Sequence, residues 1–217
     1  MPEFAEKVQI SLLSVVETMN IPTELCLKHF PKRMERASRF RFSEDRLRCI
    51  GAGALIAGIA GIDENMIEFG PFGKPFSANN RKISVSHSGQ YSVLATADCE
   101  VGVDIEAKSD HRSIADRVLT EDEIAYVSQD ANRFLQIWTL KESVAKLLGM
   151  GLSLDFRSLS VLKLLEGVFI TIDGRTIYGK TIDLPGHILS VAVEDRPVSV
   201  EIRNISADEI VCCLNKD

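Results

Sequence analysis

The chain lacks a disulfide framework, a long apolar run and an excess of positive charge, and each absence removes a class of protein. Its five cysteines, at 26, 49, 99, 212 and 213, form no CxxC pair and no zinc spacing. An odd, scattered set suits reduced thiols in a cytoplasmic protein better than structural bridges. No stretch of eighteen apolar residues occurs, and the longest candidate, residues 50–62, is interrupted by four glycines, which argues against a membrane span. The first residues, Met-Pro-Glu-Phe-Ala-Glu, lack the basic start of a secretory signal. Four scattered histidines give no basis for pH sensing. A net charge of −6 argues against general nucleic-acid affinity.

What is present is an ordinary globular balance, 45% hydrophobic and 26% charged over 217 residues, enough for one domain or two small ones. The charge is unevenly spread. Residues 28–48 hold eight Lys/Arg against Glu35, Glu44 and Asp45, a local balance of +5 that leaves −11 on the rest. A focused basic segment on an acidic protein is a candidate anion site or a solvated helix surface.

Strand-like patterns cover residues 8–16, 83–85, 91–97 and 101–106, and then 159–162, 168–172, 176–182, 188–193 and 198–202. Ser43 followed by Glu44 and Asp45 predicts a helix start with Ser43 as N-cap. That helix runs on through the small residues 51–60. Gly51-Ala-Gly53 follows no strand and lacks a third glycine, so it is no dinucleotide fingerprint. Pro71, Gly73 and Pro75 mark a turn. Thr120-Glu-Asp-Glu123 is a capping box, and residues 134–148 form a helix stopped by Gly149 and Gly151.

Two segments carry candidate chemistry. In Gly102-Val103-Asp104-Ile105-Glu106, strand alternation puts Asp104 and Glu106 on one face and Val103 and Ile105 in the core. In the helix that follows, Trp138, Glu142 and Lys146 stand four apart on one ridge. Brought together, Asp104, Glu106 and Glu142 form an oxygen-only site suited to Mg2+ or Mn2+, with Lys146 beside it. The plainer alternatives are a solvated strand face and an i, i+4 ion pair. Trp138 reads as a core anchor and Lys141 as a helix-surface residue. A hydrolase built on Ser86 or Ser88, His87 and Asp104 is disfavoured, since there is no Gly-x-Ser-x-Gly elbow.

These segments, with Phe72-Gly73-Lys74-Pro75 and Ile83-Ser84-Val85-Ser86-His87-Ser88-Gly89 in order before them, resemble the 4'-phosphopantetheinyl transferases over roughly residues 30–150. The length resembles the larger, monomeric type that activates peptide and polyketide synthetases. The resemblance implies an α+β fold, a pseudo-dimer of two similar subdomains. Each would be a small, mostly antiparallel sheet packed on a long helix, with the active site in the cleft between them. It places the boundary near Cys99, giving subdomains 1–99 and 100–217. It implies Asp104, Glu106 and Glu142 as metal ligands, Glu142 as candidate base and Lys146 as the partner of the leaving phosphate. Arg48, Lys74, Pro75, Ser86 and His87 would contact coenzyme A, with Arg36, Arg39 and Arg41 less firmly aligned. The implied reaction is Mg2+-dependent transfer of the phosphopantetheine arm from coenzyme A to a serine of an acyl or peptidyl carrier protein, releasing 3',5'-ADP. The carrier is expected to dock near residues 107–119, which include Lys108, His111, Arg112 and Arg117. Two alternatives stay open: a non-catalytic coenzyme A or carrier-binding protein, and a metal-dependent pyrophosphatase or nuclease.

Overall fold

A computed structural model describes residues 5–77, 81–109, 115–127 and 130–216. In chain order, β1 (Glu6–Ser14) leads into α1 (Val15–Met19), α2 (Thr23–His29), α3 (Pro31–Ser38) and α4 (Ser43–Ala54), the last continued by a π-helical turn, Leu55–Ile59. A hairpin, β2 (Ile67–Phe69) and β3 (Pro75–Ser77), precedes β4 (Lys82–Ser88), β5 (Tyr91–Ala97) and β6 (Val101–Ala107). Then come α5 (Ala115–Val118), α6 (Glu121–Val127), α7 (Ala131–Leu148) and α8 (Leu162–Leu165). The chain ends with β7 (Ile170–Ile172), β8 (Arg175–Leu184), β9 (His187–Glu194), β10 (Val198–Ile205) and α9 (Ala207–Leu214).

Two four-stranded sheets form the centre, ordered β10-β1-β5-β4 and β6-β9-β8-β7. All neighbouring pairs are antiparallel except β1 and β10. The sheets pack face to face through Val8, Ile10 and Leu12 of β1, Val93 and Ala95 of β5, Val101, Val103 and Ile105 of β6, and Leu189, Val191 and Val193 of β9. Helices cover both outer faces. Leu55, Ile56, Ile210 and Leu214 lie over Leu13, Ile83 and Leu94 on one side; Leu135, Leu140 and Val144 lie over Ile177, Ile188 and Ala192 on the other. The result is a four-layer α+β arrangement of two sheet-and-helix halves, as the resemblance implies.

β5 and β6 belong to different sheets. The tail does not stay with the second half, however. β10 pairs with β1 from Glu6↔Val198 to Leu13↔Ile205, and α9 packs in the first core. A division into 1–99 and 100–217 therefore needs its last strand and helix moved to the N-terminal half. Residues 159–162 form no strand either: Val161, Leu164 and Leu159 are buried around the short helix α8, because a leucine-rich run spaced three apart buries equally well as one helical turn. Phe42, not Ser43, is the N-cap of α4, and no side chain caps it. Half of the expected capping box is present, with Thr120 N–H donating to Glu123 at 2.9 Å.

Gly102 sets the spacing between β6 and α7. A Cβ there would lie 1.9 Å from the Ser143 carbonyl oxygen and 2.5 Å from the Leu147 nitrogen. The helix thus rests directly on the strand backbone, which brings its ridge alongside Asp104 and Glu106. Gly102→Ala must push α7 off β6, at about 1–3 kcal/mol for overpacking. Urea unfolding should show that loss; an unchanged midpoint would mean that the helix does not lean on Gly102.

Candidate functional site

β4 and β6 lie edge to edge at the seam between the sheets. Hydroxyls, not a backbone ladder, join them among the described residues. Val103 N–H donates to Ser84 Oγ at 3.0 Å and Ala107 N–H to Ser88 Oγ at 3.1 Å. Ser86 Oγ donates to Asp104 Oδ1 and Ser88 Oγ to Glu106 Oε2, each at 2.7 Å. The alternating serines of β4 thereby knit the halves together and orient both carboxylates. Trp138 combines two tasks: its indole N–H reaches Glu106 Oε1 at 3.4 Å, and its ring packs edge-on against Phe156.

From α7, Lys146 Nζ donates to Asp104 Oδ1 at 2.6 Å and to Ser86 Oγ at 2.9 Å. Asp104 is 4% exposed, yet among the described residues its Oδ2 has no hydrogen-bond partner. An orphaned buried carboxylate oxygen is costly unless something comes to it. Glu142 lies within the field of the same group. Burial first, then the charges of Asp104 and Glu106, push its carboxyl up to about 7, with Lys146 offsetting only part. Among the described residues, no three His, Cys, Asp or Glu side chains already form a closed metal cage. Even so, the donor set fits a hard divalent cation: all oxygen, mutually repelling, with one buried oxygen unused.

The raised Glu142 carboxyl has a consequence for stability. The folded, metal-free protein holds this proton more tightly than the unfolded chain does, so stability falls as pH rises from the ordinary 4.5 through about 7. In EDTA, Glu142→Gln should therefore stabilise the protein at about pH 8, with the gain fading toward about pH 4.5. Paired urea melts across that range check it; a constant difference would contradict it.

The cleft has two adjoining lobes that share Gly73, Pro75, Val85 and Lys146. One, of 380 Å3, is lined by Arg33, Arg36, Cys49, Ser86, His87, Asp104 and Glu106 among others. The other, of 480 Å3, is more apolar and is lined by Phe72, Lys74, Ser84, Glu142, Gly149, Gly151 and Ser153 as well. Lys146 stands where the lobes meet. His87 is held toward its neutral form, first by burial and then by the charges of Lys146 and Arg48. The Arg48 guanidinium is mostly buried, bonded to the Gly89 carbonyl and to Asp45, so it shapes the turn after β4. Gly89 (φ +53) leaves room there for His187, whose Nε2 would lie 2.6 Å from a Cβ. Lys74 is also engaged, with its ammonium on Glu100 and on the Leu147 carbonyl at 2.6 Å.

The structure thus brings Ser86, His87, Asp104 and Glu106 to one lobe, Glu142 to the other, and Pro75 and Lys146 to both. It leaves Arg48 and Lys74 with in-chain partners. Sequence reasoning missed Arg33, whose position on α3 three residues before Arg36 was lost within a long charged run. It also missed the acid partner of Lys74, and it read Lys141 as exposed. In fact Lys141 is fully buried, ion-paired with Glu123 at 2.5 Å and donating to the Val118 and Phe156 carbonyls at 2.7 Å each. Of the expected docking stretch, His111 and Arg112 lie outside the described residues.

The fold and cleft define an α+β protein that sets an acidic, cation-seeking cluster beside arginines, an arrangement suited to phosphorylated ligands. The sequence model described as the 4'-phosphopantetheinyl transferase superfamily matches residues 100–198. A 4'-phosphopantetheinyl transferase of Bacillus subtilis is 33% identical over 144 residues, covering 60% of this chain and 64% of that protein. The 4'-phosphopantetheinyl transferase Sfp of Bacillus subtilis (strain 168) is 26% identical over 199 residues, 83% of this chain and 89% of Sfp. The 4'-phosphopantetheinyl transferase psf-1 of Bacillus pumilus is 34% identical over 143 residues, 59% of this chain and 61% of its own length. Two of these three matches span less than two thirds of the relative. The chain is thus similar to the 4'-phosphopantetheinyl transferase superfamily, through residues 100–198 by the family model and over most of its length by the likeness to Sfp.

Proposed function

We propose that the protein transfers the 4'-phosphopantetheine arm of coenzyme A to a serine hydroxyl of an acyl or peptidyl carrier protein, with Mg2+ bound, and releases 3',5'-ADP. The observation that carries this is the placement of Lys146 at the junction of the lobes, bound to Asp104 Oδ1 while Asp104 Oδ2 is buried and unpartnered. Asp104 and Glu106 would hold the ion, which supplies charge neutralisation on a phosphate oxygen. Mn2+ would serve by the same donor chemistry.

Arg33, Arg36 and His87 line the lobe that would take the phosphates of coenzyme A. An incoming phosphate dianion would draw a proton onto His87, reversing the push toward its neutral form. Lys146, which lines both lobes, would face the bridging pyrophosphate. Glu142 lines the apolar lobe, where its carboxylate would accept the serine proton. In the step, the serine oxygen bonds to the pantetheine-side phosphorus as the phosphorus–oxygen bond of the pyrophosphate breaks. The serine proton passes to Glu142, and 3',5'-ADP leaves against the Lys146 ammonium.

The five free cysteines suit a reducing compartment. No helix among the described residues is long and apolar enough to cross a membrane. We place the reaction in the cytoplasm, carried out by a monomer. Intact-mass measurement of several apo carrier proteins incubated with coenzyme A and Mg2+ tests the function. A gain of one phosphopantetheine, abolished by EDTA, is expected. Tight coenzyme A binding with no gain on any carrier would favour a binding protein, and cleavage of coenzyme A without a carrier would favour a pyrophosphatase.

A further inference from the structure

Lys74 does not offer its charge to either lobe. Its ammonium sits between Glu100 and the Leu147 carbonyl, with its side chain 9% exposed. Glu100 also binds Lys82 at 2.8 Å. Burial pushes the Glu100 carboxyl up, but the hydrogen bonds from Lys74 and Lys82 outweigh it and hold the group below its ordinary range. Three elements meet at this point. Lys74 belongs to the turn between β2 and β3, Leu147 is in the last turn of α7 one residue after Lys146, and Glu100 precedes β6, four residues before Asp104. The turn lies flat on the end of α7. A Cβ at Gly149 would be 3.3 Å from Lys74 Cδ, and one at Gly151 would be 3.5 Å from the Phe72 carbonyl oxygen. Both glycines have left-handed φ, +68 and +53, so any other residue there would be strained as well as crowded. A cation on the last carbonyls also complements the helix dipole.

We propose that Lys74 and Glu100 are a positioning pair: they latch the β2–β3 turn onto the C-terminal turn of α7, close the wall of the apolar lobe and fix Lys146, and Lys74 itself touches no phosphate. The proposal rests on the transferase reading for its kinetic arm but not for its other two. The latch explains why a cationic side chain at the mouth of the cleft is given a half-buried acidic partner. A phosphate ligand would be left facing the cleft instead of tied to a carboxylate and a helix carbonyl.

The test uses the full chain as wild type, Lys74→Met, Glu100→Ala and the double variant. Calorimetric titration with 3',5'-ADP, which lacks the pantetheine arm, should give affinities within about twofold across the set, since no phosphate contact is removed. Hydrogen exchange of the amides of residues 67–77 and 146–151 should quicken in both single variants alike. With a carrier substrate, kcat should fall about 10–100-fold in each single variant, as is usual for residues that orient a catalytic group, and the double should fall no further. Two results would overturn the pair. Nucleotide binding weakened tenfold or more in Lys74→Met, together with tightening in Glu100→Ala, would make Lys74 a phosphate ligand that Glu100 restrains. Unchanged exchange in both segments would remove the latch. If wild type modifies no carrier, the transferase reading fails by itself, while the titration and exchange arms still decide the latch.

Discussion

Lys146→Ala is expected to lower the rate of carrier modification by about 10²–10³, the usual loss when one preorganised charge is removed from a water-poor site. The residue is positioned twice over, by Asp104 Oδ1 at 2.6 Å and Ser86 Oγ at 2.9 Å. It is also the one side chain of α7 that lines both lobes. Because its proposed partner is charge that develops on the departing phosphate, the loss should fall on kcat more than on KM. A second effect follows from the same contacts. Among the described residues Lys146 is the group that lowers the Glu142 carboxyl, so in the metal-free variant that carboxyl should move further up, as read by NMR titration. A drop confined to KM would make Lys146 a simple anchor for coenzyme A.

Lys141→Ala should be the most destabilising change in the second half, at about 3–5 kcal/mol for breaking a buried ion pair from one side. Both partners are wholly shielded from solvent. The Lys141 ammonium joins α7 to the end of α5 and to the turn Phe156–Ser158. Glu123 accepts from Thr120 N–H and Val161 N–H, each at 2.9 Å. After the substitution a carboxylate stays buried and two carbonyls lose their donor, which is why the cost exceeds that of the pair itself. Replacing both residues at once, Lys141→Met with Glu123→Gln, should cost much less. Urea unfolding of the single and double variants separates the cases; equal losses would mean that the charges are not coupled.

The difference between Lys141 and Lys146 shows how far side-chain periodicity carries. Both lie in one helix, and the 3.6-residue repeat correctly groups Trp138, Glu142 and Lys146 on one ridge beside β6. For Lys141 the same repeat only says that it faces elsewhere, and a lysine facing elsewhere is ordinarily solvated. Its burial depends on Glu123 and two carbonyls, which lie 15 to 23 residues away. The strand β6 was readable because alternation separates Val103 and Ile105 from Asp104 and Glu106 within five residues. β10 was readable as a strand but not as the parallel neighbour of β1, since no local pattern encodes a partner so distant in the chain. The short helices α1, α2 and α3 went unread because none is longer than eight residues, too little for a repeat to show. Of the serines of β4 only Ser86 had an expected role, as a coenzyme A contact; the hydrogen bonds of Ser84, Ser86 and Ser88 to β6 appear only when that strand is laid beside them.

The most direct test of the site is Mn2+ binding followed by electron paramagnetic resonance, with coenzyme A present, in wild type and Asp104→Asn. Asparagine keeps the shape and the contact with Ser86 but removes the carboxylate whose Oδ2 is buried and unpartnered. Binding of a single Mn2+ per chain in wild type, lost in the variant while coenzyme A still binds, is the expected result. Equal Mn2+ binding by both proteins, or none by either while the carrier is still modified in EDTA, would contradict a metal site at Asp104.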